Sequence, residues 1–208
     1  PELLRTHAHI LVQQGDENAE KDVRRLEALG LDTPADRSLL AGLRHRAGSA
    51  NEAIDAIEQA LAEDNTKSEY WLQYAELLDE AEESERALEA VDQCLNLDRQ
   101  IGDAWALRAI LLSVKQGREK EALKAATHAV ALDCGGAKLI VLKADLLAET
   151  GDLMAAEACL EKAIDDFPMD AELRSIVASR RLSEGRIEVC LLYTSDAADE
   201  GLGVDLGG

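Results

Sequence analysis

Apolar residues recur along the chain at steps of three and four, the spacing that keeps one face of an α-helix hydrophobic. Leu39, Leu40 and Leu43 form one such stripe, Ile54, Ile57 and Leu61 a second, Trp71, Tyr74, Ala75 and Leu78 a third, and Leu88, Val91 and Leu95 a fourth. Polar and charged residues fill the positions between them. Gly48, Gly117, Gly151 and Gly185 punctuate the pattern, at places where a helix commonly stops on a residue in the left-handed conformation. The alternation predicts amphipathic helices joined in pairs by short turns.

The pairs repeat. Ala41, Ala75, Ala109, Ala144 and Ala178 are spaced by 34, 34, 35 and 34 residues. Ala53, Ala87, Ala122 and Ala156 make a second column and Ala60, Cys94, Ala129 and Ala163 a third, each with steps of 34, 35 and 34. Trp71 and Trp105 also lie 34 apart, each four residues ahead of an alanine of the first column. Columns of methyl-sized side chains suit places where two helix axes approach closely, because a larger group would force the helices apart.

A helix pair of this period, with Trp at the fourth place, small residues at the eighth, twentieth and twenty-seventh and Pro at the thirty-second, resembles the tetratricopeptide repeat family. Residues 68–98, SEYWLQYAELLDEAEESERALEAVDQCLNLD, carry the pattern well, and residues 137–170 add Pro168 at the expected place. Units are read at 1–33, 34–67, 68–101, 102–136 and 137–170, with a partial unit at 171–189. The 102–136 unit holds one extra residue near Gln116-Gly117, and the 1–33 unit keeps Ala8, Ala19, Val23 and Leu26 but is one residue short. The resemblance implies an all-α fold, a right-handed superhelical solenoid of antiparallel helix pairs with about five and a half repeats. Pentatricopeptide arrays have a similar period, but they bind RNA and tend to be basic. Sel1-like repeats use longer and more variable units.

Charge sharpens the picture. The 208 residues carry 22 basic and 42 acidic side chains, a formal net charge of −20, so the surface repels phosphate backbones and nucleic acid is excluded as a partner. No apolar run approaches the roughly 20 residues of a membrane span. Cys94, Cys134, Cys159 and Cys190 lack the paired spacing of a metal or redox site, and isolated thiols favour a reducing compartment and hence the cytoplasm. A periplasmic location stays open because the chain begins at Pro1 without an initiator Met.

The final stretch breaks the repeat. After Val189 the second helix of the sixth unit should continue, yet residues 190–208 read CLLYTSDAADEGLGVDLGG, without helical periodicity and without Lys or Arg. CLLYTSDAADE resembles a translated reading frame of the transposon adapter used in sequencing libraries, and VDLGG resembles its continuation. Residues 190–208 are therefore expected to be a non-native, disordered tail, and the body without it stays strongly acidic.

What the resemblance implies about function concerns the first helices, which line a concave groove in arrays of this family. Positions two, five, nine, twelve and thirteen of each unit face inward there. They are Ala35, Ser38, Gly42, His45 and Arg46, then Glu69, Leu72, Glu76, Asp79 and Glu80, then Asp103, Ala106, Ile110, Ser113 and Val114, then Lys138, Val141, Asp145, Ala148 and Glu149. A subclass of the family uses Lys and Asn at such places to clamp the C-terminal carboxylate of chaperones. Here Leu72, Glu76, Ala106 and Ile110 stand instead. The groove is expected to be acidic and apolar and to favour a protein or peptide with basic and apolar residues, with Glu69, Leu72, Glu76, Asp79, Asp103, Ala106, Ile110, Lys138, Val141 and Asp145 as its contact residues.

No catalytic constellation is visible. His7 and His9 are two residues apart and point to different faces of a helix. His45 and His128 have no Cys or carboxylate at catalytic spacing, and Cys134-Gly135-Gly136 lacks the lysine of a phosphate loop. The expected function is a non-enzymatic scaffold with no cofactor or metal. The other reading is the accessory repeat region of a larger bacterial enzyme, of glycosyltransferase or sulfotransferase type, or of an export or assembly system.

Overall fold

A computed structural model of the chain describes residues 33–183 together with Ala28. The unit expected at 1–33, apart from Ala28 and Thr33, residues 184–189 of the partial unit and the tail expected at 190–208 lie outside the described residues. The chain divides into two compact units between Gly135 and Gly136. Among the described residues there are helices and turns but no strands, and the fold is the all-α array of antiparallel helix pairs that the period predicts.

The first unit holds α1 (Pro34–Arg46), α2 (Ala50–Glu63), α3 (Ser68–Glu80), α4 (Ser84–Leu97), α5 (Gly102–Ser113) and α6 (Glu119–Ala131). At the start of α1, the Thr33 side chain accepts the Asp36 amide and Pro34 begins the helix, where its missing N–H costs nothing. The basic residues Arg44, His45 and Arg46 occupy its last turn, where the carbonyl ends of the helix favour positive charge. Each first helix packs on its own second helix and each second helix on the next first helix, while α1 touches α3 and α3 touches α5.

The alanine columns lie where the axes meet. Ala41, Ala75 and Ala109 are fully buried, as are Ala53, Ala87 and Ala122 and the third column's Ala60, Cys94 and Ala129. Leu43, Ile57, Leu78, Val91, Leu111 and Leu112 fill the space between them. The two tryptophans do the same task one repeat apart. Trp71 Nε1 donates to the Asn65 carbonyl and Trp105 Nε1 to the Arg99 carbonyl, both at 2.9 Å, so each indole satisfies the loop that enters its own helix.

The turns between paired helices share one backbone solution. After α1 the Gly48 amide reaches His45 O and the Ser49 amide reaches Arg44 O, each at 2.9 Å. After α3 the Glu82 amide reaches Asp79 O at 2.9 Å and the Glu83 amide reaches Leu78 O at 2.8 Å. These paired bonds satisfy carbonyls that the helix end leaves open, and they require a left-handed residue. That residue is Gly48 in the first turn, with φ 81°, and Glu82 in the second, with φ 61°. The turn after α5 is longer by one residue and carries Gly117 at φ 83°.

The second unit holds α7 (Gly136–Glu149), α8 (Leu153–Asp166) and α9 (Ala171–Ser183). Ala144, Ala156, Leu160, Ala163, Ile164, Leu173 and Val177 form its core, with Val141, Leu147 and Phe167 packed against them. Its turn repeats the motif, with the Gly151 amide on Ala148 O at 3.0 Å and the Asp152 amide on Leu147 O at 2.8 Å. Asp152 caps α8 by accepting the Ala155 amide at 3.0 Å. The buried Arg181 ties α9 to α8 through Glu157 at 3.0 Å and Glu161 at 3.7 Å.

Candidate functional site

The first helices of the first unit form one face, because α1, α3 and α5 are in sequential contact. Polar side chains stitch it together at a separation of one repeat plus one residue. Ser38 Oγ donates to Gln73 Oε1 at 2.6 Å and Gln73 Nε2 returns a bond to the Ser38 carbonyl at 3.0 Å. Further along, His45 Nε2 pairs with the Glu80 carboxylate. These contacts set the register of α1 against α3, and hence the spacing of the residues that point outward.

On this face Glu69, Glu76, Asp103 and Ile110 are exposed, and Leu72, Asp79 and Ala106 are partly so. No salt bridge reaches Glu69, Glu76 or Asp79 among the described residues. Glu76 lies between Asp103 and Glu80, and its pKa is raised, first by the surrounding protein and then by those two charges, with His45 acting in the opposite sense. Negative charge is thus concentrated where α3 meets α5. Beside it stand apolar groups without cover: Ile110 is 47% exposed and Val114 is 74% exposed. Lone apolar exposures are ordinary, but one in the last turn of α5 and one at its C-cap, beside an acidic cluster, make an amphipathic surface.

In the second unit the expected residues Lys138, Val141 and Asp145 sit on α7, which contacts α9. Lys138 Nζ lies 3.5 Å from Glu172 and Asp145 Oδ1 lies 2.5 Å from Arg180 Nη1. The charges of this surface are therefore paired across α7 and α9, unlike Glu69, Glu76 and Asp79 of α3. Glu172 and Arg180 were not among the expected site residues, although 138 to 172 and 145 to 180 are steps of one repeat, which is the available signal.

The thiols are arranged for packing. Burial pushes the Cys94 pKa up to about 11 and raises that of Cys159; Cys134 is raised by burial first and by the neighbouring Asp103 charge next. Thiols shifted this way are poor nucleophiles at neutral pH. Among the described residues no group of three His, Cys, Asp or Glu side chains is placed to hold a metal ion, and no helix is long and apolar enough to cross a membrane.

Comparison with known proteins agrees with the fold. A tetratricopeptide repeat family model matches residues 113–179. No curated protein sequence matches the chain. Among solved structures, PilF of Pseudomonas aeruginosa is similar with a TM-score of 0.77 at 14% identity, over 97% of this chain and 92% of that one. MamA of Desulfovibrio magneticus RS-1 has a TM-score of 0.71 at 17% identity, over 84% of this chain and 98% of its own. YrrB, a tetratricopeptide repeat protein with an unusual peptide-binding site, has a TM-score of 0.66 at 21% identity, over 82% and 87% of the two chains. At these identities the structural likeness speaks for the fold. Residues 113–179 thus match the tetratricopeptide repeat family, and the chain shares its all-α fold with these solved structures over most of its length.

Proposed function

We propose that the chain is a protein-interaction scaffold whose first-helix face in the 33–135 unit binds a segment carrying basic and apolar residues. The observation that carries this reading is Glu76. Its carboxylate is crowded by protein and by the like charges of Asp103 and Glu80, and only His45 opposes them. A lysine or arginine delivered by a partner relieves that repulsion, while a carboxylate-terminated segment increases it. Ile110 and Val114 supply apolar contact beside the charges. A peptide-binding site in the structurally similar YrrB supports the general mode. The second unit, where Asp145 and Lys138 already have partners on α9, is not assigned this preference.

A peptide array probed with the wild-type chain and with Glu76→Lys combined with Asp79→Lys tests the proposal. The wild type retains basic-apolar peptides, and the double variant weakens them by about tenfold or more at low salt, less so as salt is raised. An unaltered peptide preference in the double variant overturns the reading.

A further inference from the structure

The first unit has a second concave surface, on the side away from the first-helix face. The second helices α4 and α6 flank a cleft of about 780 Å³ whose floor is α5. On α5, Trp105 and Arg108 point into the cleft, whereas Asp103, Ala106 and Ile110, at helical steps from one another, belong to the other side of the same helix. The Trp105 ring is fixed from two directions. Its Nε1 is bound to the Arg99 carbonyl at 2.9 Å, and its face stacks on His128, with ring centroids 4.6 Å apart and an interplanar angle of 28°.

The charge of the cleft is opposite to that of the protein. Its two carboxylates are already engaged: Asp92 Oδ1 accepts Arg108 Nε at 2.8 Å, and Glu121 is held by Arg118 at 2.6 Å. Arg99 and Lys124 also line the cleft, and neither has a carboxylate within ion-pair distance among the described residues. In a chain of net charge −20, where acidic residues outnumber basic ones almost two to one, two uncommitted cations beside a rigid aromatic platform call for an explanation.

The preceding repeat supplies the contrast. The alanine columns align Arg99 with Asn65, Lys124 with Glu89, Arg108 with Tyr74 and His128 with Gln93, while Asp92 matches Glu58 and Trp105 matches Trp71. In that repeat Arg86 bridges α4 to α2, with Nη2 bonded to Glu58 at 2.7 Å and the guanidinium 5.7 Å from the Tyr74 ring centre. The residue aligned with Arg86 is Glu121, which turns to Arg118 instead. The same scaffold is thus closed by its own arginine in one repeat, and open and basic in the next.

We infer that the α4–α6 cleft is a second docking site, for an acidic peptide segment of a partner protein that carries one apolar or aromatic side chain. The anchor side chain lies against Trp105 and Leu95, and the flanking carboxylates pair with Arg99 and Lys124. The volume is within the range of pockets that bury a compact group, roughly 300–1,000 Å³, and charge complementarity selects the sign of the partner. The scaffold then holds two segments of opposite charge on opposite sides of α5. This site is independent of the acidic face, so the two stand or fall separately.

The test uses the full chain and a fluorescein-labelled synthetic peptide of Asp and Glu residues around one Phe, followed by fluorescence anisotropy. Wild type binds it, and Arg99→Glu with Lys124→Glu weakens binding by about tenfold or more. A single reversal at the exposed Lys162, far along in the other unit, is the control for non-specific attraction and changes nothing. Absence of binding by the wild type, equal binding by the Arg99/Lys124 variant, or an equal loss from Lys162→Glu overturns the inference. So does a concentration-dependent dimer in sedimentation that the Arg99/Lys124 variant abolishes, since the occupant is then a second copy. Far-ultraviolet circular dichroism of each variant verifies that the helices are retained.

Discussion

Glu82 holds, in the turn between α3 and α4, the left-handed backbone that Gly48 holds one repeat earlier, with φ 61° against 81°. Both residues donate their amide three residues back, to Asp79 O and His45 O. The left-handed conformation costs a residue with a side chain roughly 1–2 kcal/mol, and glycine loses about 0.4–1 kcal/mol more unfolded-chain entropy. The first quantity exceeds the second. Glu82→Gly is expected to stabilise the chain by about 0.5–1 kcal/mol and raise its melting temperature by about 1–3 °C. The same change at the exposed mid-helix Glu89 should cost about 1 kcal/mol. Thermal unfolding that moves both variants in the same direction refutes the assignment of strain to the Glu82 turn.

The alanine columns make a second prediction. Ala109 is fully buried and Ala156 is 3% exposed, in different units, each at an axis contact. Replacing either with leucine inserts three heavy atoms where the neighbouring helix already fills the space, a cost of about 1–3 kcal/mol. The expected result is a clearly lowered melting temperature for Ala109→Leu and for Ala156→Leu, measured by circular dichroism. Unchanged melting of both would mean that the columns are not contact positions.

Much of the fold was legible because burial writes a period into the chain. Ala75, Ala109 and Ala144 repeat because each is fully buried at the same kind of crossing, and Trp71 and Trp105 because each binds a loop carbonyl six residues back. Glu82 was not legible, since the glycines at 48, 117 and 151 mark their turns by residue type and the turn after α3 carries a residue that resists the conformation. The acidic character near Glu76 could be anticipated from the resemblance, but the pairing of Asp145 with Arg180 could not be weighed until α9 was placed beside α7. Arg99 and Lys124 belong to no motif in the sequence. They acquire meaning only when set against Asn65 and Glu89 and around a common ring, a relation between distant positions that no local pattern reports.

Gly102 is a third test. A Cβ built there would lie 2.2 Å from Cys134 Sγ and 2.7 Å from Cys134 Cβ, closer than real carbon contacts allow. Helix propensity favours alanine over glycine by about 1 kcal/mol, but overpacking against Cys134 opposes it with about 1–3 kcal/mol. Gly102→Ala is expected to lower stability, and adding Cys134→Gly should recover most of the loss, because it removes both atoms that a Cβ would meet below 3 Å. A double-mutant cycle by chemical denaturation measures the coupling. Equal destabilisation by Gly102→Ala in both backgrounds would place the cost away from the thiol.

Two glutamates should respond to pH with opposite sign. The folded-state pKa of Glu76 is raised above its ordinary 4.5, first because neighbouring protein displaces water from part of its carboxyl and then by Asp103 and Glu80, so the folded chain holds that proton more tightly than the unfolded chain. Its stabilising contribution is present below the unfolded value and is lost as pH rises through the raised one. At pH 7 the ionised carboxylate subtracts from stability, by less than about 1 kcal/mol for an accessible group. Glu76→Gln is therefore expected to melt higher than the parent at pH 7, with the difference gone near pH 4. Glu121 is the reverse case, because the hydrogen bond from Arg118 lowers its pKa. Its contribution is present above the unfolded value and is lost as pH falls through the lowered one. Glu121→Gln should melt lower than the parent at pH 7 and converge with it in acid. Thermal melts of the three proteins across pH 3–8 decide the matter: if both variants shift with the same sign, the crowding of Glu76 by like charge is wrong, and the argument for a cationic partner on that face loses its support.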